Sequence, residues 1–201
     1  MNWKLTAIKI VLSIIIVILA YLVVDSILTP VNFNKSVEER SAKVIQNLKD
    51  IRNGQQFYKE FNNKYSGDFD TLIDFLRTSE IPIVNKIPDP ADTTFTRTIN
   101  DTVGYVKVAD SLYGHRKHFS LDSLKYIPYS EGTPFELNSG TIERGGVVVP
   151  VYEVKAHYRH FLSDLDNQLT INLIKSREDI ERYPGLKVGS MEEPSTDGNW
   201  E

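Results

Sequence analysis

The chain has 201 residues, 41% apolar and 25% charged, with a formal charge of −4 and no cysteine. That length holds one ordinary domain plus a short extra element, not two sizeable domains. The mild acidity argues against a basic nucleic-acid face, and the missing cysteine excludes disulfides, thiolate zinc sites, a cysteine nucleophile and a cysteine-linked lipid anchor.

Residues 1–30 read as a membrane anchor. From Ile10 to Val24 nothing is charged, and extending the run to Leu5–Leu28 adds only Lys9 and Asp25. A spanning helix needs ~20 mostly apolar residues to cross a ~30 Å hydrocarbon core. Lys4 and Lys9 precede the run, and the next basic residue is Lys35. The positive-inside rule then puts the N-terminus in the cytoplasm and everything after residue 30 outside. A cleaved signal peptide is the rival, but Ala20 and Ser26 make a poor cleavage pattern. Both readings export residues 31–201.

Pro30 predicts a break, with VNFNK as a polar link. Ser36-Val37-Glu38-Glu39 then matches a capping box that opens a new helix to about Asn62. Val44, Leu48, Ile51 and Tyr58 fall on one stripe of that helix, the candidate interaction surface. Gln55 lies within the stripe and Gly54 beside it, so the middle looks weak. The plainer reading of the stripe is the core face of a globular domain. After Ser66-Gly67-Asp68 a shorter helix carries Phe69, Leu72, Ile73, Phe75 and Leu76, with Asp68 or Asp70 as its cap.

Ile81, Ile83 and Ile87 predict a short extended piece, kept at an edge by Pro82, Pro88 and Pro90. Residues 93–98 and 103–108 are expected to pair around Asn100-Asp101. Val108–Tyr113 looks helical up to Gly114, and Ser120–Tyr126 forms a helical turn. The clearest hairpin runs from Phe135 to Ile142, turns at Gly145-Gly146, and returns over Val147–Val154, with Pro150 marking an edge or bulge. Leu169, Ile171, Leu173 and Ile174 predict one more strand, and Ser176 caps a short helix to about Tyr183. Residues 31–190 thus form an exported α+β domain, with a mostly antiparallel sheet packed on the long amphipathic helix. Residues 191–201 read as an acidic, flexible tail.

The segment IRNGQQFYKEFNNKYSGDF resembles type IV pilins and type II secretion pseudopilins, on Ile51, Gln55, Gln56, Tyr58, Lys59 and Tyr65. In those families an exported helix follows an N-terminal apolar helix and exits through a Gly-x-Tyr-type turn into a short second helix. The resemblance spans residues 5–76 and implies a pilin-like fold. Tyr58, Phe61 and Tyr65 would then cover the apolar edge of a small sheet. Val31–Leu76, with the ending Tyr183–Ser190, also resembles uncharacterised single-pass membrane proteins of Bacteroidetes, which implies an architecture but no mechanism.

Chemical signals are sparse. His115/His118 and His157/His160 are two His-x-x-His pairs, but Arg116, Lys117 and Arg159 beside them repel a cation. Asp68-x-Asp70 and Asp164-x-Asp166 are oxygen-rich yet lack the glycine and distal glutamate of an EF-hand loop. They read as caps or turn residues. The pseudopilin resemblance implies Asp164 and Asp166 as the place for any calcium loop. Glu131, Glu136 and Glu143 pair with nothing evident, and no Gly-x-Ser-x-Gly elbow occurs.

The expectation is a non-catalytic, cofactor-free structural or interaction component of a bacterial envelope assembly. It would sit in the inner membrane with a periplasmic domain, its partners the lipid bilayer and envelope proteins rather than nucleic acid. The rival is a tethered binding domain for a small ligand, metal or cell-wall component.

Overall fold

One helix, α1 (Trp3–Asn62), takes up the first part of the computed structural model, which describes residues 3–88, 98–117 and 119–201. At ~1.5 Å per residue it is ~90 Å long. Pro30 lies inside it, so the expected break and the capping box at Ser36 are both corrected. Proline removes one backbone donor and crowds the preceding turn. Contacts beyond the proline offset that local cost: Phe33 is buried, and Val37 packs against the core. Tertiary packing of one face, rather than a cap, carries the helix through the polar link.

The two ends of α1 differ in kind. From Ile8 to Val31 its large apolar side chains are exposed, whereas Val44, Leu48 and Ile51 are completely buried. Among the described residues, α1 is the one helix long and apolar enough to cross a membrane.

A short turn leads into α2 (Phe69–Thr78). Its cap is Asp68, which accepts from the Thr71 backbone N–H at 2.9 Å. Phe69, Leu72, Ile73 and Leu76 recur at helical spacing and are buried. Gly54 faces α2 closely: a Cβ there would stand 3.2 Å from Leu76 Cδ1. The apparent weak point of the stripe is thus a close-packing position.

Next comes a two-stranded antiparallel ribbon, β1 (Glu80–Pro88) with β2 (Thr98–Lys107). This corrects the expected pairing around Asn100-Asp101. Those residues lie within β2, opposite Lys86 and Asn85, so the connection falls earlier in the chain. Residues 93–97 of the expected strand, and Pro90, lie outside the described residues. Each strand has one neighbour, which suits the prolines of β1. Then follow α3 (Val108–Tyr113) and a single 3-10 turn at Leu121–Lys125, as the sequence predicts.

The main sheet has the order β3-β4-β5, with β3 (Glu136–Arg144), β4 (Val147–His157) and β5 (Gly185–Ser190), all antiparallel. Gly145 and Gly146 both have positive φ, 59° and 78°, the conformation a two-residue hairpin loop requires. Pro150 pairs with Thr141 of β3, before the β5 register begins at Tyr152, so it sits at a local edge. Tyr152, Val154 and Ala156 alternate onto one face and join Leu186, Val188 and the buried stripe of α1 in a single core.

Between β4 and β5 lie α4 (Tyr158–Phe161) and α5 (Asn167–Glu178). The strand expected over Leu169–Ile174 is therefore corrected to helix. Leu-x-Ile-x-Leu alternation fits a strand. The cap on Asp166, the buried i, i+4 pair Thr170/Ile174, and Lys175 and Arg177 in the last turn all favour helix. Ser176 lies within α5 and donates to the Leu173 carbonyl, so it caps nothing. The strand β5 follows Pro184, where a helix stop was the only sequence expectation.

The C-terminal segment is not frayed. It returns along β5, with Gly198 bridging to Val188, Asn199 bonded to Lys187 and Gly185, and Trp200 packed against the core. Its acidic composition hid these contacts, because Asn199 and Trp200 supply them.

Candidate functional site

Val44, Leu48, Ile51 and Tyr58, the candidate interaction stripe, are spent on the chain's own core. They face α2 and the sheet, so a partner cannot reach them while the domain is folded. The other aromatic residues of that stretch divide. Tyr65 packs on Tyr152 of β4 with ring centroids 4.5 Å apart. Tyr58 and Phe61 both meet Phe75 of α2 edge-on, at 5.1 and 5.5 Å. Only Tyr65 of the three covers the sheet in the way the sequence suggested.

Two polar arrangements brace α1. Gln55, fully buried, donates to the Ser66 carbonyl at 2.8 Å and accepts from the Ser66 backbone N–H at 2.9 Å. Five residues before it, Asp50 is also buried and accepts two hydrogen bonds from Arg116, one of them 2.6 Å long. Gln46 donates to the same carboxylate, and the Tyr113 hydroxyl donates to the Asp50 carbonyl. Hydrogen bonds to Asp50 raise the Arg116 pKa, and burial raises that of Tyr113. Neither arrangement was legible: Arg116 lies 66 positions from Asp50, with no local signal linking them.

The oxygen-rich pairs are occupied. Asp68 caps α2, and the Thr71 backbone bond lowers its pKa; Asp70 pairs with Lys125. Asp166 caps α5, while Asp164 forms a two-point ion pair with Arg40 that draws its carboxyl down to about 2. Glu131, Glu136 and Glu143 are exposed. Among the described residues no three metal-ligating side chains converge.

His115 is exposed, and His118 lies outside the described residues. His157 and His160 come together at a centroid distance of 6.1 Å. His157 ends β4 and caps α4, its Nδ1 accepting from the Arg159 backbone N–H at 3.0 Å. Burial first, then Arg159 and His160, lower its pKa, against the opposing pull of Glu178. Tyr183 meets the His157 ring edge-on at 6.0 Å. On the same face of β4, buried Glu153 holds Lys155 on one side and Lys187 of β5 on the other.

No protein-family model matches this chain, and no curated protein or solved structure matches it either.

Proposed function

We propose that the chain is a membrane-anchored, non-catalytic interaction component of a bacterial envelope assembly. Its pilin-like α+β domain would be held outside the inner membrane. The observation that carries this reading is the division of α1: one uninterrupted helix is apolar and exposed over its first part and contributes to the core of the domain over its last. A lipid bilayer is the medium in which such an exposed apolar length is stable. Lys4 and Lys9 ahead of the span favour a cytoplasmic start. The continuity of α1 through Pro30 adds to the pilin resemblance, in which the apolar and exported helices form one rod.

The test is extraction of the full-length protein from native membranes in mild detergent, with the size and composition of the extracted particle measured. A defined complex with other envelope proteins supports the reading, and a lone monomer overturns it. The informative variant leaves the core alone. Val103 and Tyr105 of β2 are 63% and 68% exposed, so Val103→Asp with Tyr105→Ser alters the surface of a folded domain.

A further inference from the structure

We propose that the cleft between the start of β3, the end of β4 and α4 binds a small organic oxyanion, a carboxylate or phosphate monoester that carries a flat apolar body. The cavity is about 420 Å³, within the range of small-molecule sites. Its walls divide chemically. Ile127 and Pro134 supply apolar surface, while Lys155, His157, Arg159 and Tyr183 supply donors.

Three observations set the sign of the ligand. The Arg159 guanidinium has no carboxylate partner among the described residues, and its side chain is exposed on the rim. Glu153 is shared between Lys155 and Lys187; with Glu136 on the wall these two carboxylates and two ammonium groups balance, so the Arg159 guanidinium leaves the cleft with one positive charge in excess. Because Nδ1 of His157 takes the Arg159 backbone N–H, the neutral ring keeps its proton on Nε2, where it is a donor.

Tyr183 strengthens the assignment. Burial, with Glu136 and Glu153 adding to it, pushes its hydroxyl up to about 12, so it stays protonated. It has no hydrogen-bond partner among the described residues, and the Lys155 ammonium lies 5.8 Å from its ring centroid. Among the described residues, Glu136 is the one carboxylate on the wall. A metal ion is disfavoured here by the same cations that favour an anion.

The full-length protein in mild detergent is titrated calorimetrically with phenyl phosphate, benzoate and inorganic phosphate at constant ionic strength. Phenyl phosphate and benzoate should bind saturably and more tightly than inorganic phosphate. Arg159→Ala should weaken phenyl phosphate about tenfold or more, as loss of a charge-assisted hydrogen bond does. Tyr183→Phe should weaken it about threefold or more while keeping the ring in place. Arg144→Ala, at the far end of β3, should leave affinity unchanged. Absence of saturable binding by all three probes overturns the proposal. So does an affinity indifferent to both Arg159→Ala and Tyr183→Phe. Inorganic phosphate binding as tightly as phenyl phosphate overturns the apolar half of the assignment. None of these outcomes depends on whether the protein is extracted in a complex.

Discussion

Gln55 and Ser66 exchange two hydrogen bonds across the turn that joins α1 to α2, a side-chain amide pairing with both backbone groups of one residue. The amide matches the donor and acceptor that a neighbouring strand would otherwise offer. A polar residue on an apolar stripe is thereby fully satisfied, and the chain reverses direction at a fixed place. Gln55→Leu keeps volume but strands two buried backbone groups, each costing ~1–3 kcal/mol. The expected loss is ~2–6 kcal/mol on the same scale. Ser66→Ala keeps the backbone and loses only the hydroxyl contacts to Asp68, at a cost of ~1 kcal/mol. Denaturant titration of both variants checks the ranking. A Gln55→Leu no worse than Ser66→Ala would refute it.

The pair Asp50–Arg116 makes a different prediction, because Asp50 is buried and charged. Removing Arg116 leaves an uncompensated carboxylate in the core. Arg116→Ala should therefore cost ~3–5 kcal/mol, whereas replacing both partners with apolar residues of similar size should cost much less. A double-mutant cycle measures this directly. Additive losses would mean that the two residues do not act as a unit.

Leu48→Ala should destabilise the domain by ~2–5 kcal/mol, since the side chain is completely buried. Any loss of partners in a Leu48 or Ile51 variant then reports unfolding rather than a broken interface. The Val103→Asp, Tyr105→Ser variant should leave the denaturation midpoint nearly unchanged, so a loss of co-extracted proteins in it would report the surface rather than unfolding. A large drop in its midpoint would contradict the exposed placement of those side chains.

His157 predicts a pH dependence. Its pKa is lowered in the fold, chiefly by burial, so the folded state favours the neutral ring. The associated stability is fully present above the unfolded value of ~6.5 and is lost as pH falls through the folded value. His157→Asn keeps an oxygen to cap the Arg159 N–H and does not titrate. The fall in melting temperature from about pH 7 to pH 5 should be shallower in that variant than in the wild type. Parallel curves would show that His157 contributes nothing to the acid side.

How much of this was written in the sequence depends on range. The exposed apolar run, the buried stripe, the Asp68 cap, the Gly145-Gly146 hairpin and α3 are all local patterns, and all are present. Pro30 reads as a break because its local penalty is visible in the sequence, whereas the burial of Phe33 and the packing of Val37 beyond it are not. Leu169–Ile174 misled because five residues of alternation fit two periods, and the deciding cap lies outside them. Gln46 and Lys155 are local partners of Asp50 and Glu153, but the cations Arg116 and Lys187 lie 66 and 34 positions away and no local pattern links them. The histidine cleft shows the same limit: His157 and His160 were visible, but Tyr183 was not placed beside them.

The tail adds a further expectation. Arg52 of α1 binds both the Thr196 carbonyl and the Glu201 carboxylate, and Asn199 is bonded to both ends of the Gly185–Lys187 stretch. Removing residues 191–201 should expose one edge of β5 and lower the melting temperature, rather than leave it unchanged as for a loose terminus. Hydrogen exchange at the β5 amides would register the same loss.

The continuity of α1 also has a mechanical side. In the proposed orientation, the length from Leu28 to Asn62 extends ~50 Å beyond the hydrocarbon edge at ~1.5 Å per residue. Spanning helices tilt by ~20° on average, and a thinner bilayer increases the tilt. A 20° lean displaces the far end of such a rod sideways by ~17 Å, from the same rise and tilt. The helix is then a lever whose fulcrum is the lipid surface, so bilayer thickness becomes a coordinate for where the domain meets its neighbours.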